Sequence, residues 1–324
     1  MKVGETGRRL GERFSAAVGP KVRWLPGPGF SGPDHVDPVF IVGSGRSGTT
    51  LLRRMLMQGG QIHIPPESYV LGTVIKRYGL WRLAPWRSTV RHVLSEFERY
   101  PEFARFDVTL QPLEAALVEG PQNSRTLATI VDSIYRFHSE QKGSGATRWG
   151  DKTPLNAYCL PDIHLVFPEA RFVHMLRDGC DVVSSMLDMG RYATADEAAR
   201  RWNTSVEAVR RFSQAHPESV LEIRYEDLAA RPEETMRAVC SWLALEYRDD
   251  MVTSASSAPD LGDVPTLGHH RQVLAPITTS SIGRGRRGLD DAKRQQLQRL
   301  LGPNLAATGY PAVFPSTPVA EGSG

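Results

Sequence analysis

The stretch Gly43-Ser44-Gly45-Arg46-Ser47-Gly48-Thr49-Thr50 follows directly on the apolar run Pro38-Val39-Phe40-Ile41-Val42. An apolar strand, a glycine-framed loop and a helix, in that order, aim backbone N–H groups and a helix N-terminus at one point, where an anion is held. Gly43 and Gly48 keep the two-glycine frame of the G-x-x-x-x-G-K-[ST] phosphate loop, but Thr49 stands where its lysine belongs. That lysine reaches the β/γ-phosphates of a nucleoside triphosphate. Here the cation lies inside the loop, at Arg46. The frame therefore suits a nucleotide whose reacting group is not a γ-phosphate.

The charge balance narrows the partners. Lys+Arg 39 against Asp+Glu 36 leaves +3, too even for a chain that coats nucleic acid, so none is expected as a partner. Cys159, Cys180 and Cys240 form no C-x-x-C pair. Neither a disulfide framework nor a zinc site is expected, and no metal; a reducing, cytoplasmic compartment is. No apolar run approaches the roughly 18 residues of a spanning helix. Leu10, Phe14, Ala17 and Val18 share a helical face beside Arg8, Arg9 and Arg13. That face allows at most peripheral membrane contact, and a short helix docked on the domain is the simpler reading.

Short apolar runs at Val39 to Val42, Ala170 to Leu176 and Val220 to Tyr225 read as strands. Helical stretches lie at Thr49 to Gln58, Leu127 to Gln141, Cys180 to Met189, Thr194 to Ala215 and Glu233 to Leu243. Their alternation predicts an α/β fold, a P-loop-type parallel sheet flanked by helices. Residues 68–145 fit the alternation poorly and carry Tyr78, Trp81, Trp86, Phe103 and Phe106 among arginines. They read as a helical, acceptor-side insertion over the active site. The expected division is an N-terminal arm over 1–37, one domain over 38–310 and a flexible tail over 311–324.

Three further elements carry chemistry. Arg177 follows the strand ending at Leu176, where ligands of parallel sheets gather, and Ser185 lies eight residues on, in the second turn of the next helix. Arg offers a phosphate a bidentate fork and Ser a neutral donor; alone, Arg177 reads equally well as an ion-pair partner of Asp181. Lys152, in Trp149-Gly150-Asp151-Lys152-Thr153-Pro154, is one of only six lysines. A compact ammonium at a strand-to-helix junction suits a bridging or leaving oxygen, although pairing with Asp151 is the ordinary alternative. Thr153 and Pro154 read as a helix cap and first turn. Glu67 follows Pro65-Pro66; beside an anion cradle it is either a proton acceptor or a helix-start carboxylate.

These four elements, in this order, resemble the sulfotransferases that use 3′-phosphoadenosine 5′-phosphosulfate (PAPS), in their bacterial and tyrosylprotein-type branch. The resemblance runs from about Pro38 to Tyr310. It implies that Gly43, Ser44, Gly45, Arg46, Ser47, Gly48, Thr49 and Thr50 bind the 5′-phosphosulfate. Arg177 and Ser185 would bind the 3′-phosphate, and Lys152 would touch the phosphosulfate bridge. In the tyrosylprotein-type branch the base is a Glu 21 residues after the loop Arg, which falls on Glu67. The cytosolic branch has a His two residues after its Lys, where this chain has Pro154. The late Ser281-Ile282-Gly283-Arg284-Gly285-Arg286 stretch matches a nucleotide-contacting segment, adding Ser281, Arg284 and Arg286 as ligands, but Gly285 replaces the Trp usual there. Arg224-Tyr225-Glu226-Asp227-Leu228 reads as architectural, closing a strand onto a helix.

The function implied is sulfuryl transfer from PAPS to a hydroxyl, with 3′-phosphoadenosine 5′-phosphate (PAP) as product. Glu67, Lys152 and Arg46 would be catalytic. A P-loop kinase of a small hydroxyl compound and a non-catalytic nucleotide-binding module are the alternatives. Thr49 disfavours the kinase. The aromatic residues of the insertion suggest an amphipathic or aromatic acceptor. The excess of Arg over Lys points to a GC-rich bacterial source, and so to a small molecule, lipid or glycolipid as acceptor.

Overall fold

The computed structural model describes residues 29–32, 36–253, 261 and 276–314. The basic helical face expected from Leu10 to Val18 and most of the expected tail lie outside the described residues. Strand β1 (Val39–Gly43) is buried along its whole length, as a strand is when both faces of a parallel sheet are covered. It lies between β3 (Arg148–Asp151) and β4 (Arg171–Leu176), with β2 (Ile62–His63) beyond β3 and β5 (Val220–Arg224) beyond β4. All pairs are parallel, giving the order β2-β3-β1-β4-β5.

The two-residue period of a strand divides the core. Phe40 and Val42 of β1, with Phe172 of β4, join one apolar cluster, whereas Val39, Ile41, Val173 and Met175 join another. Helix α1 (Thr49–Gln58) brings Leu52, Met55 and Leu56 to the second cluster. The first receives the helices between β2 and β3: α2 (Leu71–Trp81), α3 (Trp86–Arg99), α4 (Gln111–Glu119) and α5 (Leu127–Gln141). Thr126 caps α5 by accepting from the Thr129 N–H at 3.1 Å. On this face His63 Nε2 and His138 Nδ1 meet at 2.8 Å, and burial lowers the two imidazoles to about 4 and about 3. Both are neutral near pH 7, so the helices are joined to the sheet edge at no cost in buried charge.

Helix α6 (Leu160–Val166) connects β3 to β4, and α7 (Gly179–Asp188) and α8 (Ala195–Ala215) connect β4 to β5. Beyond β5 come α9 (Tyr225–Ala230), α10 (Pro232–Leu243) and α11 (Asp291–Ala307). The three strands and five helical stretches given bounds above are each present within one residue at either end. Helix α11, with Gly302-Pro303 inside it, is not among the stretches expected from the sequence. Leu297, Leu301 and Leu305, at fourfold spacing, bury against Trp202 and Val206 of α8 and hold the helix together. Thr153 does not cap: its hydroxyl accepts instead from the Ser68 N–H at 3.3 Å, and a 3₁₀ turn, Pro154–Tyr158, follows. Among the described residues no helix is long and apolar enough to cross a membrane.

From β1 the chain runs toward β2, and from β4 it runs the other way, toward β5. The carboxyl ends of these neighbours are therefore where the connections part, the crevice in which open α/β sheets bind ligands.

Candidate active site

The loop after β1 is shaped by two glycines. Gly43 has φ 144°, and a Cβ there would lie 2.5 Å from the Met175 carbonyl oxygen. Gly48 has φ 94°, and a Cβ would lie 2.5 Å from the Tyr225 ring. Between them the Ser47 N–H donates to the Ser44 carbonyl at 3.3 Å, and Arg46 is held at φ 74°. A non-glycine residue in that region marks a conformation imposed by its surroundings. Helix α1 then starts with no side-chain cap and no acidic residue in its first turn, which leaves its N-terminal N–H groups to a ligand. Ser47 is 1% exposed and its hydroxyl has no partner. A cradle that a Cβ would fill, with a buried and unpaired donor in it, fits a phosphate or phosphosulfate group.

Beside the loop stand the cation and hydroxyl groups. Arg46 Nε donates to Ser185 Oγ at 3.1 Å, joining the loop to the Arg-x₇-Ser element through its serine. Arg177 donates to the Arg46 carbonyl at 3.1 Å and the Ser281 carbonyl at 2.8 Å, and lies 4.3 Å from the Tyr225 ring centre. Its Nε is buried without a partner. The ion pair with Asp181 is also present, at 3.6 Å. Burial and the neighbouring charges of Arg177 and Arg191 lower the Arg46 pKa from its ordinary value. Adjacent guanidinium groups repel one another, and an anion between them relieves that.

The late segment is clamped to α7. Both Asp181 carboxylate oxygens accept backbone N–H groups, from Gly283 at 2.8 Å and Gly285 at 2.7 Å. A Cβ on Gly285 would lie 2.1 Å from the Cys180 carbonyl, so the aromatic residue found at this place in the resembling family does not fit this backbone. Ser281 Oγ bonds the Tyr225 hydroxyl at 2.7 Å. Arg284 pairs with Asp188 at 3.2 Å, and Arg286 donates to Asp178 at 2.6 Å and to the carbonyls of Pro311 and Ala312. Gly43 to Thr50, Arg177, Ser185 and Ser281 are thus brought together, while Arg284 and Arg286 are engaged along α7. Tyr225, read as architectural, packs against both the loop and Arg177.

Glu67 and Lys152 meet at the end of β3. Lys152 is 0% exposed, and a buried ammonium requires partners. It donates to Glu67 Oε1 and, at 3.3 Å, to Thr50 Oγ1 in the first turn of α1. The other Glu67 oxygen accepts from the Tyr69 hydroxyl. Asp151 faces away from Lys152 into a buried network. It accepts from Tyr135 at 2.5 Å, Asn156 at 2.8 Å and Ser68 at 3.3 Å. Burial raises the Asp151 pKa, opposed by these hydrogen bonds to the charged form. The network ties the segment after Glu67 to the strand end that carries Lys152. Sequence reasoning did not single out Tyr69 or Tyr135, since a lone tyrosine has no spacing to betray it. Among the described residues no group of three or more His, Cys, Asp or Glu is arranged to hold a metal ion.

Residues 38–249 match the family model described as "Sulfotransferase family". Protein-tyrosine sulfotransferase 1 of Danio rerio is 25% identical over 286 residues, covering 84% of this chain and 72% of that protein. Protein-tyrosine sulfotransferase 2 of Gallus gallus is 24% identical over 287 residues, covering 84% and 69%. The sulfotransferase domain of the Synechococcus PCC 7002 olefin synthase superposes with a TM-score of 0.60 at 23% identity, covering 88% of this chain and 99% of that one. That likeness establishes the fold. The relatives overturn the expected small-molecule or lipid acceptor, because they are named for protein tyrosine. That expectation rests on the excess of Arg over Lys, which reflects the source genome and says nothing of the acceptor. Phe103 and Phe106 are buried in the core, Trp86 is tied to the Leu117 carbonyl at 2.8 Å, and Trp81 stacks on His92. These aromatic residues pack the helices of 68–145 together. With the phosphate loop, the sheet order and a family match over well over half its length, the chain belongs to the sulfotransferase family and is a sulfotransferase enzyme.

Proposed function

We propose that this enzyme transfers the sulfuryl group of PAPS to the phenolic hydroxyl of a tyrosine in a protein acceptor, with Glu67 as the base. The observation that carries this reading is the position of Lys152, which joins the phosphate loop at Thr50 to the carboxylate of Glu67. One side chain thereby links the place for a leaving oxygen to the place for a proton. The names of the relatives supply the acceptor class.

When bound, PAPS supplies the sulfuryl group and a phosphate that departs with negative charge. The loop N–H groups, the Ser47 hydroxyl, Arg46 and Lys152 would hold that 5′ end. Arg177, through its unpartnered Nε, and Ser185 would hold the 3′-phosphate. Glu67 takes the proton of the attacking phenol, and Lys152, Arg46 and the N-terminus of α1 stabilise the charge that grows on the leaving oxygen. Lys152 is fully buried, and the Asp151 network holds Ser68 beside Glu67, which limits the reorganisation left to the transition state.

Glu67→Gln keeps the shape and removes the base. Turnover of a tyrosine peptide should fall by about 10² to 10⁴ while calorimetric PAP binding is retained. Near-normal turnover in this variant, read as the mass gain of one SO₃ on the peptide, refutes the assignment.

A further inference from the structure

Tyr69, two residues after Glu67, is held at φ 56°. Aromatic residues seldom occupy this region, and when they do the neighbouring structure imposes it. Here the neighbours are anchored on both sides. The Ser68 N–H donates to Thr153 and its hydroxyl to Asp151, and the Val70 carbonyl accepts from the N–H groups of Thr73 and Val74. Backbone and side chain are therefore under different control. The backbone is pinned, whereas the half-buried phenol is bonded to Glu67 Oε2. Rotation about its two side-chain torsions releases the phenol without moving the backbone.

A phenol O–H donating to the proposed base is the contact that an acceptor tyrosine has to make before it loses its proton. We propose that Tyr69 is an internal stand-in for the acceptor, whose phenol occupies Glu67 until an incoming tyrosine hydroxyl displaces it. The proposal rests on the reading of Glu67 as base. Until an acceptor arrives, the stand-in keeps the carboxylate oriented and its second oxygen satisfied, which spares the enzyme an unpaired, partly desolvated charge. It also sets a threshold for entry. An arriving group has to match the bond it replaces, which another phenol does; an aliphatic hydroxyl, a weaker acid, makes a weaker bond to the carboxylate.

The test uses the full chain with saturating PAPS and p-cresol, the side-chain analogue of tyrosine, as acceptor. Removing the competing phenol in Tyr69→Phe should lower the acceptor KM by about tenfold, the scale of one hydrogen bond to a charged group. Tyr69→Gly, which suits the left-handed backbone, should lower it likewise and guards against misfolding of the first variant. An unchanged KM in both variants, or a fall in kcat at constant KM, overturns the proposal; the latter would show that Tyr69 stays on Glu67 throughout turnover. Glu67→Gln, measured alongside, separates the two readings. Retained turnover there removes the base and with it the stand-in. An inactive Glu67→Gln with unaltered KM in the Tyr69 variants removes the stand-in alone.

Discussion

The two ends of the proposed site are built on opposite plans. At the donor end, donors are left open: Ser47 Oγ and Arg177 Nε are buried without partners, and α1 begins uncapped. At the acceptor end everything is paired. Both Glu67 oxygens accept, from Lys152 and Tyr69, and Asp151 takes three donors. A pocket for a fixed anion can leave donors waiting, because the ligand brings acceptors in excess. A site that handles one proton cannot leave a buried carboxylate bare, because that charge would be neutralised or would cost stability.

The contrast can be broken most forcefully at Lys152, which belongs to both ends. Lys152→Met should reduce turnover by about 10² to 10³. It should also destabilise the fold by about 3 to 5 kcal/mol, because Glu67 loses its counter-charge. Adding Glu67→Gln should recover much of that stability, and none of the activity, in denaturant titrations. A smaller effect is expected at Arg177. Arg177→Gln should weaken PAP by about 10 to 100-fold, the range of a charge-assisted hydrogen bond. Binding of adenosine 5′-phosphosulfate, which lacks the 3′-phosphate, should change little in the same calorimetric experiment. Equal losses for both ligands would mean that Arg177 serves the loop, through the Arg46 carbonyl, more than the nucleotide. The smallest effect sharpens the comparison best. Ser47→Ala should weaken PAPS by roughly three- to tenfold and leave the melting temperature in place, since its hydroxyl makes no bond within the fold.

Much of the donor end was legible in the sequence because it is written in backbone. Glycine spacing, a strand before and a helix after specify Gly43 to Thr50, and Arg177 is placed by its strand end. The regular elements were legible for the same reason, since a period of 2 or 3.6 survives in the order of residues alone. The acceptor end depends on residues from distant segments meeting. Tyr69, Tyr135 and Asp151 are chemically ordinary until the fold joins residues 67–69 to 151. Strand β2 is two residues long and carries no periodicity, and α11 contains Gly302-Pro303, a breaker that packing against α8 overrides. The aromatic residues of 68–145 show the same limit. Composition cannot separate a ring that faces a ligand from one that faces a neighbour, as Phe106 faces Phe103, Tyr135 and His138.

The central place of β1 bears on how the molecule is made. Val39 pairs with Gly150 and with Arg171, so the strand that launches the phosphate loop has no neighbour until more than a hundred further residues have left the ribosome. Closing so long a segment is slow, and meanwhile Val39 to Val42 stays exposed as an apolar, β-prone stretch open to misassociation. Nucleotide binding should therefore arise late during synthesis, and a chaperone that shields Val39 to Val42 should raise the yield of active enzyme more than one acting on the finished chain.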